Sequence, residues 1–409
     1  MKSITKIPLG AQILAGIVLG LMIGFISPAA AGFLSPLGDI FLNLLKMLIV
    51  PLVFFSITNG ICKMQDGKQL RSVGGRIVLY YLVSSAAAAA FGVVGGLITQ
   101  PGRSVTDFSW LAAEAAEGSD FSFIDNVVSW FPTNIIQSMA NANMLQIIIF
   151  CLFLGVALLA LGERASGVIR LIGEGNDIML KITEYVIAFS PVGILSLMAS
   201  MVSTISSAMM KEVLVFIATI DVTIVVFMLV FYPLVLMLVG KLNVVSFFKK
   251  DSASMLVAFP TTSSAATLPV SIDVAESRLG VPEKVYGFTL PLGNTCNMDG
   301  AAVQYSVIAI FACNLFGLEL TPGRVFQFIF LSLVLSIGAA GVKGSGIVMS
   351  TIIISTLIGD AGLTLIPVLA AVWPTLDPFA TTCNNVGDLT GTTVVAKSLG
   401  VLDETIYNS

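Results

Sequence analysis

The sequence specifies an all-α polytopic membrane protein, and three observations carry that reading. Of its 409 residues 56% are hydrophobic and only 11% are charged, with a mean hydropathy of +0.98. A soluble chain of this length has about a quarter of its residues charged, so polar groups are too few here to coat a water-facing surface. Uncharged stretches of about 20 residues, the length that crosses the hydrocarbon as a helix, recur along the chain.

Those stretches lie near residues 8–28, 77–100, 126–162, 185–210 and 222–240, with another near 40–61 interrupted by Lys46. Lys2 and Lys6 precede the first in the manner of a signal peptide. The stretch is long enough to span and more spans follow, so it reads as a first transmembrane helix. The stretch 126–162 exceeds one helix and contains Pro132 and several Asn, which predicts a broken or multi-part segment. Asp221 stands alone at the sixth span and reads most simply as a helix-end or interhelical contact. Lys63, Lys68, Arg71 and Arg76 lie between the second and third spans, and Lys241, Lys249 and Lys250 follow the sixth. Residues 101–125 carry Asp107, Glu114, Glu117, Asp120 and Asp125 against Arg103. Basic loops stay cytoplasmic, so the N-terminus is expected inside and the acidic loop outside.

The totals also exclude functions. A net charge of −4 shows no basic excess for nucleic acid. With no histidine there is no Ser-His or Cys-His pair and no His-ligated metal. Cys62, Cys151, Cys296, Cys313 and Cys383 are odd in number, scattered and without a CxxC, which predicts buried free thiols rather than a disulfide framework.

After about residue 250 the text changes. Apolar segments shorten and are broken by Pro, Gly, Ser and Thr, first from Phe259 to Pro269 and then from Gly338 to Gly346. Each arm is about half a span. Non-helical backbone at membrane depth persists only where protein or a water-filled cavity satisfies its amides, so two re-entrant hairpins are expected, and such a pair points to a transporter's binding site. Between and after them, Asp299 (in Pro291–Gly300) and Asp377 and Asp388 (in Leu376–Gly391) sit in apolar segments. Buried carboxylates need partners, and the internal fixed cations are few, chiefly Lys343 and Lys397. Mobile cations are the remaining source of charge. Asn297, Thr295, Asn384, Thr381 and Ser336 offer oxygens, and Gly300, Gly387 and Gly391 leave room for backbone carbonyls. Asn384 and Asp388 are i, i+4 and share a helical face; interhelical hydrogen bonding is the alternative role for that pair. Asn297 and Asp299 are i, i+2, so only an unwound stretch brings both to one site.

At these residues the chain resembles the dicarboxylate/amino acid:cation symporter family, the bacterial relatives of glutamate and neutral amino acid transporters. The motifs are Ser263–Pro269, Asn297–Gly300, Ala340–Gly346, Asn384–Gly391 and Tyr80–Ser85. The resemblance implies a homotrimer in a prokaryotic cytoplasmic membrane, with eight transmembrane helices, two re-entrant hairpins and an elevator mechanism. Residues 1–72 and 101–206 would form a scaffold. Residues 73–100 and 207–409 would form the moving transport domain. It implies no prosthetic cofactor and Na⁺ as coupling ion at three sites: one of Gly293, Asn297, Asn384 and Asp388; one of Tyr81, Ser84, Ser85, Asn297 and Asp299; one of Thr295, Met298, Ser336, Ile337 and Ala339. Substrate would meet Ser263, Ser264, Met298, Val342, Gly346, Asp377, Ala380, Thr381 and Asn384.

In that pattern Asp377 is the amino-binding carboxylate and argues for an amino acid. Ala380 stands where acidic-substrate members place an arginine, and Thr262 and Pro378 stand where a second arginine is found. A buried substrate carboxylate without a guanidinium is costly, so the expected cargo is a small neutral amino acid: serine, alanine, threonine or cysteine. Lys343 either points to water or compensates the missing arginine, which keeps a Na⁺- or H⁺-coupled carrier of aspartate, glutamate or a dicarboxylate as the alternative. Tyr305 occupies the position of the proton-carrying glutamate of eukaryotic members. Two other classes stay open: an anion leak between domains, and an intramembrane aspartyl enzyme. The latter is disfavoured because Asp377 and Asp388 lie roughly 16 Å apart along a helix.

Overall fold

A computed structural model describes residues 9–63, 71–105, 128, 130–201, 207–338 and 345–408. All regular structure among them is helical. Helices α1 (Leu9–Ile26) and α2 (Pro28–Lys63) meet at Ser27, and α3 (Arg71–Thr99) follows. The long apolar stretch after it is divided, as its Asn residues suggest, into α4 (Ile135–Ala140) and α5 (Met144–Leu161). Asn134 accepts from the amides of Ile136 and Gln137 at 3.0 and 3.3 Å, and Asn143 from that of Gln146 at 3.4 Å. Each thus satisfies amides that a helix start leaves without partners.

Two spans begin earlier than the apolar count predicts. Helix α6 (Ser166–Met201) includes a charged first half, in which Arg170 pairs with Glu174 at 3.5 Å and Lys181 with Glu184 at 2.6 Å. One-turn charge pairs let a polar segment extend a helix that hydropathy alone ends. Helix α7 (Ser207–Val235) places Asp221 at mid-helix, not at an end, and Asp221 Oδ1 finds no hydrogen-bond partner among the described residues.

The first hairpin is α8 (Val244–Thr261) and α9 (Ser264–Asp273). Between them Thr262 is left-handed at φ 49°, and Ser263 is extended and caps α9 by accepting from the Ala266 amide at 3.3 Å. Helix α8 has 18 residues, and α9 runs on through a π turn to Arg278, so these arms are longer than half-spans. Then come α10 (Glu283–Cys296), α11 (Asp299–Leu315), α12 (Pro322–Gly338) and α13 (Ser345–Ile358), followed by α14 (Ile366–Ser398) and the short α15 (Glu404–Asn408). The stretch expected to form the second hairpin comprises α12 and α13, and Ala339, Val342 and Lys343 between them lie outside the described residues. So does most of the acidic loop.

Among the described residues six helical stretches are long and apolar enough to cross a membrane, and Ala15–Ile26, Pro322–Gly338 and Gly346–Ile358 are shorter apolar helices. Helices α1, α2, α5 and α6 pack chiefly on one another, with α2 against α6 the most extensive contact. Helix α11 packs on α3, α12, α13 and α14, and every residue of it except Asn314 is buried. Helix α14 packs on α7, α8 and α10. All five cysteines are buried and unbridged, as their spacing predicts.

Candidate ion and substrate site

The site is built where α10 stops and α11 starts. Asn297 (φ −122°, ψ 85°) and Met298 (φ −113°, ψ 64°) leave the helical region, so the two residues that a helix would splay apart converge. Asp299 is fully buried. Its Oδ1 accepts from the Ser85 hydroxyl at 2.8 Å with the Ser84 hydroxyl at 3.2 Å, and its Oδ2 accepts from the Tyr232 hydroxyl at 2.9 Å. Asn297 bridges to the second carboxylate: its Nδ2 donates to Asp388 Oδ1 at 3.0 Å, while its Oδ1 lies 3.0 Å from Ser84 Oγ. Asp388, on α14, is 3% exposed. Tyr81 donates to the Thr289 carbonyl at 2.8 Å and Tyr80 to the Gly387 carbonyl at 3.1 Å.

Glycine is required at two places in this cluster. A Cβ on Gly387 would lie 2.6 Å from the Tyr232 hydroxyl and 3.0 Å from Asp299 Oδ2, and one on Gly293 would strike the Asp388 carboxylate and the Tyr81 hydroxyl. The first two ion-site groups of the sequence reading therefore form one connected cluster joined through Asn297.

Asn384 turns its side chain toward the start of α11. Although it shares a face with Asp388, its Oδ1 accepts from the Gly300 amide at 2.8 Å and its Nδ2 faces Met298 Sδ at 3.2 Å. It therefore satisfies an amide in the first turn of α11. Of the third ion set, Ala339 lies outside the described residues and Met298 faces Asn384. Thr295 donates to the Leu292 carbonyl at 3.0 Å and Ser336 to that of Leu333 at 2.8 Å, each back onto its own helix, while Ile337 packs on Gly60 of α2.

The substrate set lies around α14. Ser264 is buried with its hydroxyl 3.5 Å from Asn385 Nδ2, and Asn385 donates to the Thr381 carbonyl at 2.9 Å. Gly346 packs on the Trp373 ring, and Ala380 is 3% exposed with its backbone against Gly300. Asp377 is partly exposed on the same helix. Lys397, counted as an internal cation, instead pairs with Glu404 at the partly exposed end of α14. Sequence reasoning missed Tyr232, Asn385 and Trp373. A single aromatic in an apolar run reads as packing, and only its tyrosine or indole donor hints otherwise.

Electrically the cluster is incomplete. Asp299 and Asp388 are surrounded by neutral donors, and among the described residues neither forms an ion pair. Hydroxyl and amide donors are outnumbered by carboxylate and carbonyl oxygens, which suits a small hard cation. Among the described residues there is no group of three or more His, Cys, Asp or Glu that would hold a transition metal.

A family model described as the sodium:dicarboxylate symporter family matches residues 9–398. The chain belongs to that family. The family is one of transporters, not enzymes, which removes the aspartyl-enzyme reading, and with the apolar helices it makes the chain a multi-pass membrane protein. It is 30% identical over 97% of its length to a C4-dicarboxylate transport protein of Bacillus subtilis, covering 94% of that protein. It is 31% identical, with the same coverages, to a proton/glutamate-aspartate symporter of Escherichia coli. A proton/sodium-glutamate symport protein of Bacillus caldotenax is 28% identical over 98% of the chain and 96% of the relative.

Proposed function

We propose that this chain is a sodium-coupled symporter of a small carboxylate-bearing solute in a prokaryotic cytoplasmic membrane. The observation that carries the reading is the buried pair Asp299 and Asp388, bridged by Asn297 and faced only by neutral donors. A buried carboxylate without a counter-charge costs several kcal/mol, and a Na⁺ ion removes that cost. Sodium binding then steadies the Asn297–Asp299 break next to Met298 and Asn384, which couples ion and substrate sites through one short segment.

The names of the relatives support an acidic amino acid or a C4-dicarboxylate as cargo, in place of the small neutral amino acid expected from Ala380; none of the three is named for a neutral substrate. One observation favours the second, neutral reading. Ala380 is buried and brings no guanidinium to the place where a side-chain carboxylate would need one. Helices α1, α2, α5 and α6 act in this proposal as a trimeric scaffold, with the N-terminus inside. Helix α3 and the helices from α7 onward move as an elevator with α12 and α13 as the gate. The mutual packing of the first set supports the division.

The test is uptake of labelled aspartate, succinate and serine into liposomes holding the purified protein, with and without an inward Na⁺ gradient. Sodium-driven accumulation of any of them is expected. Equilibration insensitive to the gradient would mean a leak pathway and remove the symport reading. Ala380→Arg separates the cargo readings: if serine is the wild-type cargo, preference moves toward aspartate, and if aspartate already is, the gain is absent.

A further inference from the structure

Two buried donors near Asp377 have no partner among the described residues. The Tyr305 hydroxyl and the Trp373 indole N–H find no hydrogen-bond partner among the described residues, at 0% and 4% exposure. Buried tyrosine and tryptophan normally place these groups on an acceptor. Other orphaned hydroxyls, such as those of Thr58, Ser190 and Thr390, sit on helices one rotation away from a backbone carbonyl. A phenol or indole holds its donor at the far side of a ring, where no such rotation is available.

The helix register places the two together. The backbone of Ala380 packs on Gly300, and Gln304 Nε2 donates to the Leu376 carbonyl at 3.0 Å, so α11 and α14 run antiparallel along this seam. Tyr305 follows Gln304 directly and lies within electrostatic reach of Asp377. Trp373 and Asp377 are i, i+4 on one face of α14. A Cβ on Gly346 would strike Trp373 Cζ2 and lie 2.7 Å from Cη2 and 3.1 Å from Cε2, so the benzo edge of the ring packs on the first turn of α13, with the indole nitrogen, bonded to Cε2, next to that contact.

We propose that Tyr305 and Trp373, flanking Asp377, form a side-chain subsite for an oxygen acceptor on the substrate, in place of the guanidinium that Ala380 leaves out. The ligand class is an amino acid whose side chain ends in a carboxylate, carboxamide or hydroxyl oxygen. Alanine leaves the subsite unfilled. The inference rests on the symport reading for its cargo but not for its geometry.

The chain has three tryptophans, Trp110, Trp130 and Trp373. In a Trp110→Phe/Trp130→Phe background Trp373 alone reports binding by fluorescence, so aspartate, serine and alanine are titrated in Na⁺ against that protein and its Tyr305→Phe variant. Aspartate and serine should perturb the emission, and Tyr305→Phe should weaken both about tenfold, while alanine affinity, read by equilibrium binding of labelled alanine, changes less than twofold. Retained alanine affinity and an unchanged Na⁺ half-saturation show that the variant is folded. Trp373→Phe, read by the KM of uptake, should repeat the pattern. An equal loss for all three amino acids, or none, overturns the subsite. Parallel uptake separates the two claims. Sodium-driven uptake with an indifferent Tyr305→Phe sinks the subsite alone. A Tyr305-dependent fluorescence response without sodium-driven uptake sinks the symport reading alone, and silence in both sinks both.

Discussion

The stretches Leu145–Ser200 and Glu283–Leu315 are both long enough to cross a bilayer, yet they are opposites. The first is the more apolar, and only 33% of its most apolar window is buried; the second is less apolar, and 94% of its window is buried. In a water-soluble domain the order is reversed. Here lipid is the solvent for α5 and α6, so their apolar surface faces outward at no cost, whereas α10 and α11 turn polar groups toward protein partners. Polarity therefore tracks the interior, and the interior is where Asn297, Asp299 and Asp388 meet. Chemistry sits in the helices that hydropathy scores lowest.

The sharpest way to break this contrast is to remove a charge from the buried cluster. Asp388→Asn and Asp299→Asn should each lower sodium-driven uptake or sodium affinity by about a hundred- to several-thousandfold, since losing one partner of a buried charge pair costs about 3–5 kcal/mol. Sodium titrations of uptake or of thermal stability measure this. An unchanged sodium dependence in Asp388→Asn removes that residue from the ion site.

Packing gives the next largest effect. Gly387→Ala forces a methyl toward the Tyr232 hydroxyl and Asp299 Oδ2, and should destabilise the protein by about 1–3 kcal/mol. Gly32→Ala on α2 meets nothing within 4 Å and should be neutral or stabilise by up to about 1 kcal/mol, the helix propensity gained. Thermal unfolding in detergent compares them. Equal melting shifts would mean that the two regions are packed alike, and the contrast would collapse.

How much of this was legible in the sequence follows from the same contrast. The break between α10 and α11 was legible, because Asn297 and Asp299 two apart make sense together only off a helix. The first hairpin and the asparagine-divided α4–α5 segment were legible from Pro, Asn and Ser. The start of α6 was not, since its charges look like loop until one-turn pairing on a helix is considered. Nor was the turn of Asn384 onto the Gly300 amide, which depends on how closely α11 and α14 approach. Tyr232 was hidden because its ring packs against Phe227 and Phe231 as any core aromatic would, and only its hydroxyl reaches Asp299.

Tyr232→Phe isolates that hydroxyl. Hydrogen bonds to charged groups are worth about 1.5–3 kcal/mol, so removing this donor should lower stability by a similar amount in sodium-free buffer. A cation at the cluster supplies the missing charge to Asp299, and the loss should shrink when Na⁺ is added. The measurement is the melting temperature of both proteins across a Na⁺ series. A deficit that does not change with Na⁺ would make Tyr232 a packing residue with no link to the ion.

The smallest effect belongs to the boundary between the two regions. Lys46 of α2 pairs with Asp360, just before α14, at 2.9 Å, with side chains 37% and 82% exposed. Exposed pairs of this kind contribute about 0–1 kcal/mol, so Asp360→Asn should move the melting temperature hardly at all. Its value lies in kinetics. If the α14 group slides past α2 during transport, this pair must open in each cycle, and Asp360→Asn should leave substrate KM unchanged while turnover becomes less sensitive to ionic strength. Wild-type turnover should then rise toward that of the variant as salt screens the pair. Identical salt dependence in the two proteins would place Lys46 and Asp360 outside any moving boundary, and the division of the helices into a fixed and a sliding group would have to be redrawn.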